Sequence, residues 1–180
     1  MLRWLMAVTL GLILANYQTL RAEDDPDESR LDTALESETQ TLRRKETFPA
    51  EEYAKLATRG DATLNGRLFL DHPCGKCVPV VGETVAIAPA TRYAEEEARA
   101  IEAGLTIDPA DPRARRHTRY AETDEAGYFT ARDLPAGDYF VAGSISLPGA
   151  NHRRRAIVRR VRLDAGRTVT LALSRHVGRD

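Results

Sequence analysis

Two cysteines, Cys74 and Cys77, stand in the stretch Asp71-His72-Pro73-Cys74-Gly75-Lys76-Cys77. A Cys-x-x-Cys spacing serves three chemistries: a local disulfide, a shared metal ion, or electron shuttling. Shuttles of the thioredoxin kind set this motif at a helix start inside a βαβ unit, and no strand-helix alternation surrounds it here. No His follows Cys77 directly, which argues against covalent haem. Zinc needs four ligands, of which the pair supplies two. His72 is a third candidate and His117 or His152 a distant fourth. The expected role is a structural disulfide between Cys74 and Cys77 that stiffens a loop; the alternatives are a small redox or metal-binding protein built on this pair, or two free thiols.

Other groups able to do chemistry are sparse. His72, His117, His152 and His176 show no ligand spacing on one helix or strand and read as surface residues. Gly143-Ser144-Ile145-Ser146 does not match the Gly-x-Ser-x-Gly turn that activates a nucleophilic serine. No catalytic residue and no cofactor are expected, and the chain reads as a non-enzyme. The strongest charge feature is a basic run over residues 153–162: Arg153, Arg154, Arg155, Arg159, Arg160 and Arg162. Arg153, Arg154, Arg155, Arg160 and Arg162 are candidate contacts for an anionic partner, whether lipid headgroups, acidic glycans, a phosphate or the acidic leader of the same chain. The competing reading is a solvated strand face beside a basic turn, with Arg160 and Arg162 facing water.

The whole chain of 180 residues carries a net charge of only −1, so no nucleic-acid partner is expected. The charge is unevenly spread. Residues 23–52 hold eleven acidic and four basic side chains, a balance of −7, and residues 53–180 hold twenty basic and sixteen acidic, a balance of +4. Residues 1–22 read as a signal peptide, with Arg3 ahead of an apolar run at 4–15 and cleavage near Ala22. The expected location is therefore secreted or periplasmic. An uncleaved inner-membrane anchor remains the alternative, and either makes the cysteines more prone to oxidation. Residues 23–46 read as an acidic disordered linker, in which Leu31, Leu35 and Leu42 offer one weak helical face.

The elements that must position these groups centre on residues 120–147, YAETDEAGYFTARDLPAGDYFVAGSISL. Asp124-Glu125-Ala126-Gly127 and Leu134-Pro135-Ala136-Gly137 are turn signals, so the stretch predicts strand, turn, short strand, turn, strand. Strand parity then puts Phe129, Tyr139 and Val141 on one side. Tyr120, Tyr128, Phe129, Tyr139 and Phe140 make the aromatic density of the chain. Outward-facing members could stack on sugar rings or partner side chains, unless a helix covers them.

This stretch resembles the carboxypeptidase regulatory-like domain, a prealbumin-type β-sandwich, through Thr123, Asp124, Gly127, Tyr128, Phe129, Leu134, Pro135, Gly137, Tyr139 and Val141. The resemblance extends over about residues 62–174 and implies a module without chemistry of its own. Prealbumin-type sandwiches also include a hydrolase with clustered His and Arg and a Tyr-Arg-Gly-Ser tail. This chain ends Val177-Gly178-Arg179-Asp180, so that activity is not expected.

Around that centre, residues 47–60 predict a short helix with Tyr53, Leu56 and Ala57 on its packed face. Leu64, Leu68 and Leu70 predict a half-buried strand with Gly66 marking a bulge. Residues 78–88 predict a second strand whose inward face is Val85 and Ile87. Residues 91–103 predict a helix with a Glu95–Arg99 pair and a stop at Gly104, and 105–116 a solvated loop. Residues 164–167 predict another hairpin turn before a last strand carrying Val169, Leu171 and Leu173. The expected architecture is all-β: an antiparallel Greek-key β-sandwich of about seven strands over residues 61–175, with a short N-terminal helix, a helical insertion and a tail at 176–180. The expected function is an exported, non-catalytic module that binds an unknown protein or glycan partner in the cell envelope, with transient membrane contact. A membrane-anchored envelope structural protein is a further alternative.

Overall fold

The computed structural model describes residues 41–72, 75, 77–147 and 154–176. The expected signal peptide, most of the acidic linker, Cys74, Arg153 and the last four tail residues lie outside the described residues.

Eight strands form two four-stranded sheets. In the first sheet β2 (Ala62–Asp71) is central, with β10 (Thr168–His176) along one side. Its other side is shared end to end by β7 (Tyr128–Leu134) and β3 (Cys77–Pro79). The second sheet runs β6 (Arg119–Glu122), β4 (Thr84–Pro89), β8 (Gly137–Ser146) and β9 (Arg154–Leu163), all antiparallel. Short helices α1 (Ala50–Ala54), α2 (Arg92–Glu102) and α3 (Pro112–Arg115) and a two-residue parallel pair, β1 (Thr41–Leu42) with β5 (Thr106–Ile107), lie outside the sandwich. Among the described residues no helix is long and apolar enough to cross a membrane.

Alternation builds the core. Leu64, Leu68 and Leu70 of β2, Val85 and Ile87 of β4, Phe129 and Leu134 of β7, Tyr139, Val141 and Ile145 of β8, Leu163 of β9 and Leu173 of β10 are buried in one cluster. Each large side chain of this kind contributes about 1.5–3 kcal/mol by leaving water. Gly66 faces the same core but does not mark a bulge. A Cβ there would collide with Cζ of Phe129, so the glycine makes room for that ring on the neighbouring strand. The register shift between β2 and β7 falls instead between Ala62 and Leu64.

The turns form where expected but do a different job. Gly127 donates to the Asp124 carbonyl (2.9 Å) with φ +78°, and Asp124 Oδ1 accepts from the amides of Ala126 (2.9 Å) and Tyr128 (2.8 Å). The strands on either side belong to different sheets: β6 to the second, β7 to the first, β8 to the second again. The turn at 164–167 likewise passes from β9 in the second sheet to β10 in the first, where β10 runs parallel to β2. A tight turn fixes chain reversal and leaves open whether the two arms pair or pack face to face. The expected hairpins are therefore arches, and one strand pair departs from the all-antiparallel expectation.

Other boundaries also differ. The strand expected over 78–88 is two strands in different sheets, β3 and β4. The helix expected over 47–60 is the single turn α1, with Tyr53 buried, Leu56 partly buried and Ala57 exposed. Residues 105–116 contain β5 and α3 rather than a loop. The end of the acidic linker, residues 41–46, is ordered: the Arg44 side chain is 7% exposed and its guanidinium donates to Glu97 Oε2 and to the carbonyls of Tyr93 and Asp108, each at 3.1 Å.

Candidate functional site

The outer faces of the two sheets have opposite character. On the second sheet, Ala86, Ala88, Phe140, Ala142 and Val158 share a parity, and α2 lays Ala94, Ala98 and Ile101 over them. The helix forms there because Thr91 Oγ1 accepts from the Ala94 amide (3.1 Å), Glu95 pairs with Arg99 (2.7 Å), and Gly104 turns the chain away at φ +71°. Phe48, Tyr53, Tyr93 and Ala114 make a second apolar cluster beside it. Burial pushes the Tyr53 hydroxyl above its ordinary pKa, and that hydroxyl shares a hydrogen bond with Thr91 Oγ1 (2.9 Å).

The first sheet turns outward another set: Thr63, Asn65, Arg67, Phe69 and Asp71 on β2, Tyr128 and Thr130 on β7, and Thr170, Ala172 and Ser174 on β10. Tyr128, Thr130, Thr170 and Ala172 are exposed, Tyr128 by 52%. Arg67 lies directly across from Tyr128, and its guanidinium carbon is 5.0 Å from the Tyr128 ring and 5.4 Å from the Phe69 ring. Arg67 Nε donates to the Ala126 carbonyl (3.0 Å), which pins the guanidinium between the two rings. Thr130 Oγ1 donates to Asn65 Oδ1 (3.0 Å), and among the described residues no acceptor meets the Asn65 amide nitrogen, which leaves it for a ligand. On β10 the small side chains of Thr170, Ala172 and Ser174 lie level with Asn65, Arg67 and Phe69. A flat ligand thus meets aromatic and cationic surface on one strand and a shallow shelf on the next.

The residues singled out from sequence are dispersed. Cys77 is an exposed free thiol at the start of β3, and the bridge to Cys74 is not shown. It sits level with Asp71, whose carboxylate is 3.5 Å from His176 Nδ1 on β10. Among the described residues no three His, Cys, Asp or Glu side chains converge on one point. Arg154 pairs with Glu83 (2.6 Å), and Arg160 and Arg162 both approach Asp138 (3.3 and 3.9 Å), facing water as expected. Arg155 is half-buried, and its Nε has no partner among the described residues.

Of the aromatic group, Phe129 and Tyr139 are core, Phe140 lies under α2, Tyr120 is exposed, and only Tyr128 joins the open platform. Arg67, Phe69 and Asn65 were not picked out from sequence. The signal was available in the polar parity opposite Leu64, Leu68 and Leu70.

The motif behind the family resemblance is used for folding. Thr123 is buried, and its Oγ1 accepts from the Glu83 amide (2.9 Å). Asp124 and Gly127 build the arch, Phe129 covers Gly66, and Tyr139 Oη donates to the Pro135 carbonyl (2.9 Å).

No protein-family model matches the chain, and no curated protein matches it in sequence. Among solved structures, the chain is similar to a candidate carbohydrate-binding protein from Pseudomonas aeruginosa, with a TM-score of 0.62 and 22% identity over 72% of this chain and 99% of that one. A minor pilin of Streptococcus agalactiae matches with a TM-score of 0.40 and 14% identity over 68% of this chain and 47% of the pilin. The major pilin subunit of Bacillus cereus matches with a TM-score of 0.38 and 11% identity over 64% of this chain and 30% of the pilin. At these identities the likeness is one of fold, and the Pseudomonas protein carries it: the chain is a β-sandwich of the same architecture.

Proposed function

We propose that this chain is an exported, non-catalytic binding module that takes a glycan on the open face of its first sheet. The observation that carries this reading is the Tyr128–Arg67–Phe69 row, flanked by Asn65 and Thr130, on an exposed face. A pyranose ring presents an apolar C–H face that stacks on aromatic rings and hydroxyls that pair with amide and guanidinium groups. The name of the Pseudomonas structure is in keeping with that reading. We place the fold with the carboxypeptidase regulatory-like sandwiches on the strength of the motif at 123–141.

Affinity electrophoresis of the full chain through gels containing neutral or uronic-acid polysaccharides tests the proposal. Retardation by at least one of them is expected, with Tyr128→Ala and Phe69→Ala each abolishing it, the melting temperature barely moving for Tyr128→Ala and falling modestly for the half-buried Phe69→Ala. Absence of retardation in every gel, or retardation indifferent to both substitutions, would overturn it. Export is tested separately by the mass of the mature chain, expected to begin near residue 23.

A further inference from the structure

The arginines of β9 divide by strand parity. Even-numbered Arg154, Arg160 and Arg162 each have a carboxylate within 4 Å: Glu83 at 2.6 Å, Asp138 at 3.3 and 3.9 Å, and Asp164 at 3.6 Å for Arg162. Arg155 and Arg159 share the parity of Ile157 and Leu163, which turn toward the core. Arg175 of β10 shares the parity of Leu171 and Leu173. Among the described residues none of these three has a carboxylate partner.

Arg159 and Arg175 meet where the sandwich is open at its side, and Arg155, whose guanidinium lies by Gly104, stands four residues further along β9. Among the described residues β9 and β10 are both edge strands, β9 paired only with β8 and β10 only with β2. Between them runs a groove of about 340 Å³ lined by Ala156, Ile157, Val158, Arg159, Ser174 and Arg175, with Glu102 the acid on its rim.

β9 lacks most of the devices that blunt an edge. It is ten residues long, keeps one unbroken register with β8, and contains no proline. Its protection is charge. Two copies meeting β9 to β9 would set arginine against arginine, which disfavours self-pairing, while an acidic strand meets the opposite condition. The Val158 carbonyl already accepts from the Arg159 guanidinium (3.0 Å), a side chain satisfying an acceptor that a strand partner would otherwise take.

We propose that the β9 edge receives an extended acidic peptide from a partner protein, added as a further strand of the second sheet. Backbone hydrogen bonds supply affinity, and carboxylates spaced four residues apart supply specificity by reaching Arg155 and Arg159. The added strand would extend the second sheet, whereas the aromatic row of the glycan platform, Tyr128 and Phe69, lies on the first.

The test uses the full chain and a fluorescein-labelled ten-residue peptide of alternating Val and Glu, followed by anisotropy at low and high salt. The same peptide N-methylated at alternate amides keeps its charge and loses backbone donors. About tenfold weaker binding is expected for the N-methylated peptide and for the variant R155A/R159A/R175A. Less than about twofold is expected for R160A/R162A, with circular dichroism confirming that both variants are folded. Equal binding of the two peptides, equal loss in the two arginine variants, or no binding of the unmodified peptide would overturn the proposal. So would sedimentation showing a dimer that R155A/R159A/R175A dissolves.

Discussion

The two outer faces of this sandwich are made from strands of similar length and inner packing, yet one is roofed and the other bare. The roofed face presents Ala86, Ala88, Ala142 and Val158, small enough for α2 to sit close, with bulk from Phe140 and, toward its edge, Tyr120. The bare face presents Thr63, Asn65, Arg67, Thr130, Thr170 and Ser174, groups already content in water, with Phe69 and Tyr128 as the exceptions. Apolar residues on an outer face demand a cover, and the insertion at 92–115 with the strap at 41–48 provides it. Polar residues on an outer face need none, so two large rings left among them are the feature that stability does not explain.

The largest expected effect erases the contrast. Leu68 is fully buried between the sheets, and Leu68→Ala should lower stability by about 2–5 kcal/mol, read as a fall in the single melting transition and seen by probes on either face.

Next comes a change confined to the roof. Arg44→Met removes three hydrogen bonds from a nearly buried guanidinium, at a cost of about 1–3 kcal/mol. Hydrogen exchange should quicken over 92–108 while amides of β2 and β10 keep their protection. Uniform loss across both sheets would show that the roof is part of the sandwich's own cooperative unit.

Acid separates the faces more gently. Hydrogen bonds from the Arg113 side chain and amide hold the Asp111 carboxyl at about 2, against an ordinary 3.8. A depressed pKa contributes stability above the unfolded value and loses it as pH falls through the folded one. The amides of α3 should therefore lose protection between pH ~4 and ~2, a step that Asp111→Asn should lack, while the bare face shows no change tied to this group. The smallest effect is on the platform itself: Tyr128→Ala should shift stability by less than about 0.5 kcal/mol, so any loss of ligand binding there reports recognition directly.

Much of this was legible beforehand because it is local. Leu64, Leu68 and Leu70 alternate, Thr91 and Gly104 bracket α2, and Glu95 reaches Arg99 as a four-residue spacing requires. What escaped is long-range. Nothing near Asp124 or Asp164 distinguishes a hairpin from an arch, because both use the same turn chemistry. The parallel seating of β10 on β2 depends on residues a hundred positions apart. Arg44 looked like part of a solvated leader because its partners, Tyr93, Glu97 and Asp108, are remote in the chain. The platform was half visible: Tyr128 drew notice for its neighbours' aromaticity, and Arg67 and Phe69 drew none because each alone is an ordinary outward residue of an amphipathic strand.

The arches at 123–127 and 164–167 set how the molecule must assemble. Four of the seven steps from one sandwich strand to the next change layer, so the two sheets are completed together, and the central β2 gains its long neighbour β10 last. Loop closure over that span comes late and opposes early collapse. The protein is thus expected to refold slowly and in one step, and a chain cut before Thr168 to leave one whole side of β2 unpaired.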